Sequence, residues 1–351
     1  MPPAIPRKWK HASMLCSTIY SNGLYGHKNV VERLSALFQS RRLPHALLFS
    51  GPSGIGKFLV ARWIAAAYLC QDAGCGICPS CKKALAFLHP DIHRVEAEEG
   101  RRDITISQVR RLSDAVGLKS FEADSKAVII DDADRMNEES QNAFLKTLEE
   151  PPPDTLIILV SSQSERLLPT IRSRCQRFRF NRLKEKEVEA WVQGNPDFNS
   201  ILPLKLAQGS PGRLLNLIKS DAEQARKLLI GFIASATTPS PVKTTSELMK
   251  WAQDGGDWNG KHQVREKLRL ALGLGAGLLR DVAILSQGVE YHHLMNQDLH
   301  MELESATRFY RLSGLFYAVS QLVDAASDIS GYIDPGLAVE NVFRIIREMR
   351  K

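Results

Sequence analysis

The sequence predicts an α/β core on a mostly parallel sheet, followed by segments that are helical throughout. Three observations predict it. Residues 45–50 (HALLFS) form a short apolar run that ends at a glycine-rich stretch, Gly51-Pro52-Ser53-Gly54-Ile55-Gly56-Lys57-Phe58, and apolar residues at helical spacing follow from Lys57 to Cys70. Strand, loop and helix in that order are the context of a phosphate-binding loop. Runs at 126–131 (KAVIID), 155–160 (TLIILV) and 176–180 (QRFRF) read as further strands, with helical patterns at 106–116 and 138–149 between them. Alternating strands and helices imply a parallel sheet covered on both faces. Beyond about residue 183 the periodicity is helical only.

The 351 residues suit two or three domains, and 44% hydrophobic with 24% charged residues is a globular composition. A net charge of +7 permits contact with nucleic acid without demanding it. No apolar run approaches the roughly 20 residues of a membrane span. The first twenty residues carry Pro2, Pro3, Pro6, Arg7, Lys8 and Lys10 with no apolar secretory core, so 1–20 is expected to be a mobile leader, with Met14 a candidate initiator. The expected compartment is the cytoplasm.

Residues 51–58 fit G-x-x-x-x-G-K-[ST] except at the last position. Gly51, Gly54 and Gly56 allow a tight turn whose N–H groups surround phosphate at a helix N-terminus, and Lys57 would reach the outer phosphates. Phe58 has no oxygen for the Mg²⁺ that a Ser or Thr would hold. The strand at 126–131 ends in Asp131-Asp132: the first acid would hold Mg²⁺, and the second stands where a longer Glu would polarise an attacking water. The loop and these acids would meet at the ends of two adjacent strands, which indicates a nucleotide fold with doubtful turnover. The bland reading is a loop that only packs.

The cluster Cys70-x4-Cys75-x2-Cys78-x2-Cys81 places four thiolates at intervals that close on one tetrahedral ion, and with all four positions filled the site would be structural. In a chain without a secretory signal such clustering points to metal rather than disulfides. His89 and His93 are substitutes should Cys70 lie too deep in its helix. Cys175 reads as a small buried hydrophobe. Arg172-Ser173-Arg174-Cys175 precedes the 176–180 strand; an arginine there can reach phosphates held by a neighbouring subunit, and a solvated surface arginine is the plainer alternative. Arg213, in Gly209-Ser210-Pro211-Gly212-Arg213, stands near a helix start, where it would point back at a bound phosphate or simply be solvated. The predicted organisation is a core at 21–182 with the cysteine module at 70–81, a helical unit at 183–234, a linker at 235–246 and a larger helical unit at 247–351.

These pieces in this order resemble the AAA+ clamp-loader family of bacterial DNA polymerase III. The residues that carry the resemblance are His45-Ala46-Leu47-Leu48-Phe49, the four-cysteine insertion and Asp131-Asp132-Ala133-Asp134-Arg135-Met136. They continue in Asn142-Ala143-Phe144-Leu145-Lys146-Thr147-Leu148-Glu149-Glu150-Pro151-Pro152 and Leu167-Leu168-Pro169-Thr170-Ile171-Arg172-Ser173-Arg174-Cys175. The resemblance spans about 24–215. It implies an AAA+ ATPase core, a helical lid and a C-terminal helical collar, in a hetero-pentamer with gamma/tau and delta subunits that loads the sliding clamp onto primed DNA. It implies that Arg174 is an arginine finger acting in trans, that the four cysteines hold structural zinc, and that Ser161-Ser162-Gln163 contains a polar sensor. ATP or ADP would be bound weakly or not hydrolysed, with intrinsic ATPase activity absent. Two other classes stay in view. Phe58 argues against an active ATPase motor. The lack of a basic stripe with interleaved aromatics near the cysteines argues against a zinc-dependent nucleic-acid-binding module.

Overall fold

The computed structural model describes residues 19–20, 23–72, 74–98, 101, 103–195, 202–237, 240–254, 261–329 and 333–351. Met14 and the predicted leader lie outside these, apart from residues 19–20, where Ile19 is fully buried rather than mobile. The chain divides into two compact units, one from Met1–Pro196 and Gly209–Gly212, the other from Asp197–Gln208 and Arg213–Lys351.

The first unit is a five-stranded parallel sheet in the order β2-β3-β4-β1-β5, formed by β1 (Ala46–Ser50), β2 (Ile92–Val95), β3 (Lys126–Ile130), β4 (Thr155–Ser161) and β5 (Gln176–Arg179). Strands β1, β3 and β4 are buried at every position, as continuous apolar runs covered on both faces require. Alternate residues Ala46, Leu48, Val128, Ile130, Ile157 and Leu159 join one core with Val109, Leu112 and Val116 of α4 (Ile106–Gly117) and Phe144 and Leu148 of α5 (Glu138–Glu149). After helix α1 (Lys28–Gln39), helix α2 (Lys57–Leu69) packs on β1, β3 and β4, burying ten of its thirteen residues. Asn137 caps α5, its side chain accepting the Ser140 N–H at 2.9 Å. This is the parallel α/β core, covered by helices, that the sequence predicts.

Two details differ from expectation. The strands bearing the glycine loop and Asp131 are not adjacent, because β4 lies between them and brings Ser161 to the same sheet edge. The edge strand β2 was not predicted; its four residues run from buried Ile92 through half-buried His93 and exposed Arg94 to half-buried Val95 and carry too little apolar signal.

The second unit is helical among its described residues. Helix α8 (Pro211–Lys219) runs across the unit boundary. It is followed by α9 (Ala222–Ala234), α10 (Pro241–Gln253), α11 (Lys261–Leu285), α12 (His300–Ala306), α13 (Leu312–Asp328) and α14 (Pro335–Glu348). One core joins Leu229 and Phe232 of α9, Leu248 and Trp251 of α10, Leu272 and Leu279 of α11, Leu315 and Leu322 of α13, and Val342 and Phe343 of α14. The stretch read as a linker over 235–246 is helical from Pro241, because Ser240 caps the helix by accepting the Lys243 N–H and Pro241 occupies the first turn, where its missing N–H costs nothing. Helix α7 (Glu185–Gln193), expected in a separate unit at 183–234, belongs to the first unit.

Candidate functional site

The glycine loop and Asp131, Asp132 and Asp134 stand at the C-terminal edge of the parallel sheet, where ligand crevices form in open α/β folds. Gly51, Gly54 and Gly56 have φ of 148°, 72° and 100°. A Cβ on Gly51 would sit 2.2 Å from the Phe180 carbonyl oxygen, so the first glycine is required by the backbone that passes it. The loop is fastened from outside: the His27 ring Nε2 meets the Ile55 carbonyl at 2.6 Å, the Ser210 hydroxyl donates to Ser53 O at 3.0 Å, and the Gly212 N–H donates to Gly54 O at 2.8 Å. The Gly209–Gly212 turn therefore holds the loop through its own backbone and Ser210. Arg213 belongs to the second unit, where its Nε donates to Leu206 O at 3.0 Å.

Lys57 is buried, and its ammonium donates to Gly51 O at 2.7 Å and Pro52 O at 2.6 Å. Burial pulls its pKa down, while Asp132, Asp134 and Asp131 pull it up. Burial, then the neighbouring Asp132, pushes the Asp131 carboxyl up to about 6, opposed by Arg94. Burial and Asp134 also raise Asp132, which sits at φ 46°. Asp134 behaves oppositely. Burial raises it, but the Ser161 hydroxyl at 2.7 Å and the Ser162 N–H and hydroxyl at 2.9 and 3.1 Å outweigh burial and hold it ionised. Asp134 thus ties the end of β3 to the end of β4, with Ser161 and Ser162, not Gln163, as its partners.

Phe58 lies against Phe87, ring centroids 5.7 Å apart at 20°, and the Arg94 guanidinium stands 4.4 Å from the Phe58 centroid. Arg94 pairs with Asp131 at 3.4 Å and with Glu96. Phe58 is therefore part of a packed stack at the position where a magnesium ligand would stand.

The four cysteine sulfurs all lie within 4.8 Å of one another. Cys70 Sγ is 3.8 Å from Cys75 Sγ and 3.7 Å from Cys78 Sγ. A tetrahedral ion with Zn–S bonds of about 2.3 Å sets its sulfurs about 3.8 Å apart, so the cluster could hold a metal ion. Cys70 ends α2 in an extended conformation, which frees it to meet the others. Cys78 caps the short helix α3 (Pro79–Leu85), its sulfur accepting the Cys81 N–H at 3.3 Å. The hydrogen bond from Cys81 draws Cys70 down to about 4 against the effect of burial, and Cys81 rises in return. With four thiols converging, neither His89 nor His93 is needed. The His89 Nδ1 instead accepts the Asp91 N–H at 3.1 Å. Cys175 is buried with its pKa raised to about 12 by desolvation, in keeping with inert packing.

Arg174 closes the helix α6 (Pro169–Arg174), 36% exposed, with one nitrogen donating to Thr170 O at 3.0 Å and another 2.6 Å from Glu149 Oε1. It is held at a surface and reaches none of the loop residues of its own chain among these contacts.

Residues 26–184 match the family described as DNA polymerase III, delta subunit. The chain is 32% identical over 210 residues to DNA polymerase III subunit delta-prime of Escherichia coli (strain K12), covering 58% of this chain and 63% of that protein. It is 44% identical over 135 residues to the delta-prime subunit of Pseudomonas aeruginosa, covering 37% of this chain and 41% of that protein. Over residues 26–184 the chain is thus similar to delta-type subunits of DNA polymerase III. It is also 30% identical over 188 residues to DNA polymerase III subunit gamma of Buchnera aphidicola subsp. Schizaphis graminum, covering 52% and 49%. The chain thus spans between 41% and 63% of the length of these relatives. The matched stretch includes the loop, the cysteine cluster and Arg174. Among the described residues no helix is long and apolar enough to cross a membrane.

Four participants were not singled out from the sequence. Arg94 and Phe87 need the unpredicted strand β2 and the turn before it. Asp134 carried a signal, standing three residues past the end of an apolar strand beside two other acids. Glu149 carried none of its own, because its partner Arg174 is 25 positions away.

Proposed function

We propose that this chain is a delta-prime-type clamp-loader subunit that helps load the sliding clamp onto primed DNA and does not turn over nucleotide itself. In this reading it assembles with gamma/tau and delta subunits in a hetero-pentamer, the four cysteines hold structural zinc, and Arg174 completes the active site of the adjacent ATPase subunit. Helices beyond residue 183 serve as lid and collar. Nucleotide at Gly51, Gly54, Gly56 and Lys57 is weak or absent. Identity to both delta-prime and gamma subunits supports membership of such an assembly. The observation that carries the reading is the internal occupation of the loop: Lys57 is spent on its own loop carbonyls and Phe58 on an aromatic stack, while Arg174 stands at the surface. A trans arginine contributes about 10³–10⁵ in rate to such ATPases. The test is ATP turnover by the reconstituted loader with clamp and primed DNA. Arg174→Ala is expected to lower turnover at least about tenfold while the complex still assembles; unchanged turnover refutes the finger role.

A further inference from the structure

Strand β2 delivers a cation to the candidate site. Arg94 pairs in register with Ile129 of β3, and the Asp131 N–H donates to Val95 O at 2.9 Å, so Arg94 and Asp131 leave neighbouring strands side by side. The guanidinium lies 3.4 Å from Asp131 Oδ2, with the two side chains 31% and 19% exposed, and it also pairs with Glu96. The other Asp131 oxygen, Oδ1, accepts the Asp132 N–H at 3.1 Å. Beneath the guanidinium are Phe58, 4.4 Å from its centroid, and Phe87, 5.3 Å from its centroid. Phe87 adopts φ 55°, a left-handed conformation unfavourable for a bulky side chain. The Leu88 N–H donates to Lys83 O at 2.8 Å, so this left-handed residue closes the end of α3, and its ring lies under the guanidinium.

Magnesium, which the fold family implies here, does not fit these residues. Phe58 supplies no oxygen, and both Asp131 oxygens are engaged, one by a charge that the chain itself provides. We propose that Arg94 is a resident cation standing in place of the divalent ion at Asp131, and that Phe58 and Arg94 form a matched pair that keeps metal out. The inference deepens the non-hydrolysing reading above and rests on it. Replacing Phe58 alone restores an oxygen but leaves a divalent ion facing a fixed positive charge at close range. Replacing Arg94 alone frees Asp131 but leaves the second ligand missing. Only the two changes together open the site.

The test uses the full chain and equilibrium binding of the fluorescent analogue mant-ADP, with magnesium and with EDTA. Four proteins are compared: wild type, Phe58→Thr, Arg94→Gln and the double variant. Magnesium is expected to change binding by less than about twofold in the first three, absence of binding in both buffers included, and to tighten it at least about tenfold in the double variant. A magnesium response in Phe58→Thr equal to that of the double variant overturns the proposal, as does a folded double variant with no response. An independent arm measures urea unfolding of Arg94→Gln in wild-type and Asp131→Asn backgrounds. The arginine substitution is expected to shift the unfolding equilibrium at least about fivefold less when Asp131 is neutral, and equal shifts overturn the pairing. Both arms use the isolated chain, so their failure is separable from the turnover test of the loader reading.

Discussion

Gly51→Ala tests whether the phosphate loop is locked by packing rather than by ligand. The added Cβ would meet the Phe180 carbonyl oxygen at 2.2 Å and the Phe180 carbonyl carbon at 3.0 Å, where ordinary contact begins near 3.4 Å. More than an ångström of retreat is needed, and neither side is free to give it. The Phe180 N–H is hydrogen-bonded to Ser50 O at 2.8 Å, and the Gly51 N–H to Ser161 O at 3.3 Å. Overpacking costs about 1–3 kcal/mol, and forcing alanine to a φ of 148° adds about 1–3 kcal/mol. A loss of about 2–6 kcal/mol, at about 2–4 °C per kcal/mol for a unit of this size, lowers the melting midpoint by about 4–24 °C. Gly117→Ala is the control, because a Cβ there meets nothing within 4 Å. It is expected to be neutral or slightly stabilising. Differential scanning calorimetry on both variants decides. If Gly51→Ala melts within about 2 °C of wild type, the loop is not clamped against Phe180 and the packing argument is wrong.

Other outcomes follow from the same contacts. The purified chain is expected to carry about one zinc, Cys78→Ser to lose most of it, and chelation to lower the melting midpoint of wild type but not of the variant; atomic absorption and melting curves check this. Asp91 accepts the N–H groups of Glu122 at 2.8 Å and Ala123 at 2.7 Å, and burial, which raises its pKa, is outweighed by these bonds so that the folded value is lowered. Its contribution is therefore present above the unfolded pKa of about 3.9 and lost as pH falls through the folded value. Asp91→Asn should cost about 1–3 kcal/mol at pH 7 and progressively less below about pH 4, measured by urea midpoints; an equal deficit at both pH values refutes the assignment. Arg226 is 1% exposed and joins Asn296 at 2.9 Å, Glu223 at 3.2 Å and Asp298. Arg226→Ala strands these acceptors and should destabilise the helical unit by about 3–5 kcal/mol, and a loss under about 1 kcal/mol in denaturant titration counts against the network.

How much of this was legible depended on whether the signal was local. Strands β1, β3 and β4 are buried on both faces, so their apolar runs announce them without reference to anything else. The glycine loop, the Asn137 cap and the cysteine spacing are local in the same sense, and each appears at its expected place. Strand β2 is an edge strand with only Ile92 buried, so four residues reading Ile-His-Arg-Val offered little. Missing β2 meant missing Arg94, and with it the charge beside Asp131. Strand order was equally hidden, since nothing in the sequence says that β4 inserts between β1 and β3. At 235–246 the composition suggested a linker, yet the Ser240-Pro241 pair is itself a helix start. That misreading came from weighing composition above capping chemistry.

The glycines of residues 51–56 are themselves ambiguous evidence for nucleotide. A loop that binds phosphate needs glycine so that backbone N–H groups can approach the anion. In this chain the same glycines have a second reason to be there. Gly51 yields to the Phe180 carbonyl, and Gly54 holds a left-handed φ of 72°. Either constraint favours glycine with no ligand present. The residues that distinguish binding from packing are those with no packing reason to be polar, and there the arrangement points one way. Lys57 donates to loop carbonyls, the position after it is an aromatic ring, and the acid at the strand end faces an arginine. The backbone of this unit is built around the loop, while Lys57, Phe58 and Asp131 are engaged with neighbouring protein groups rather than left open to a ligand.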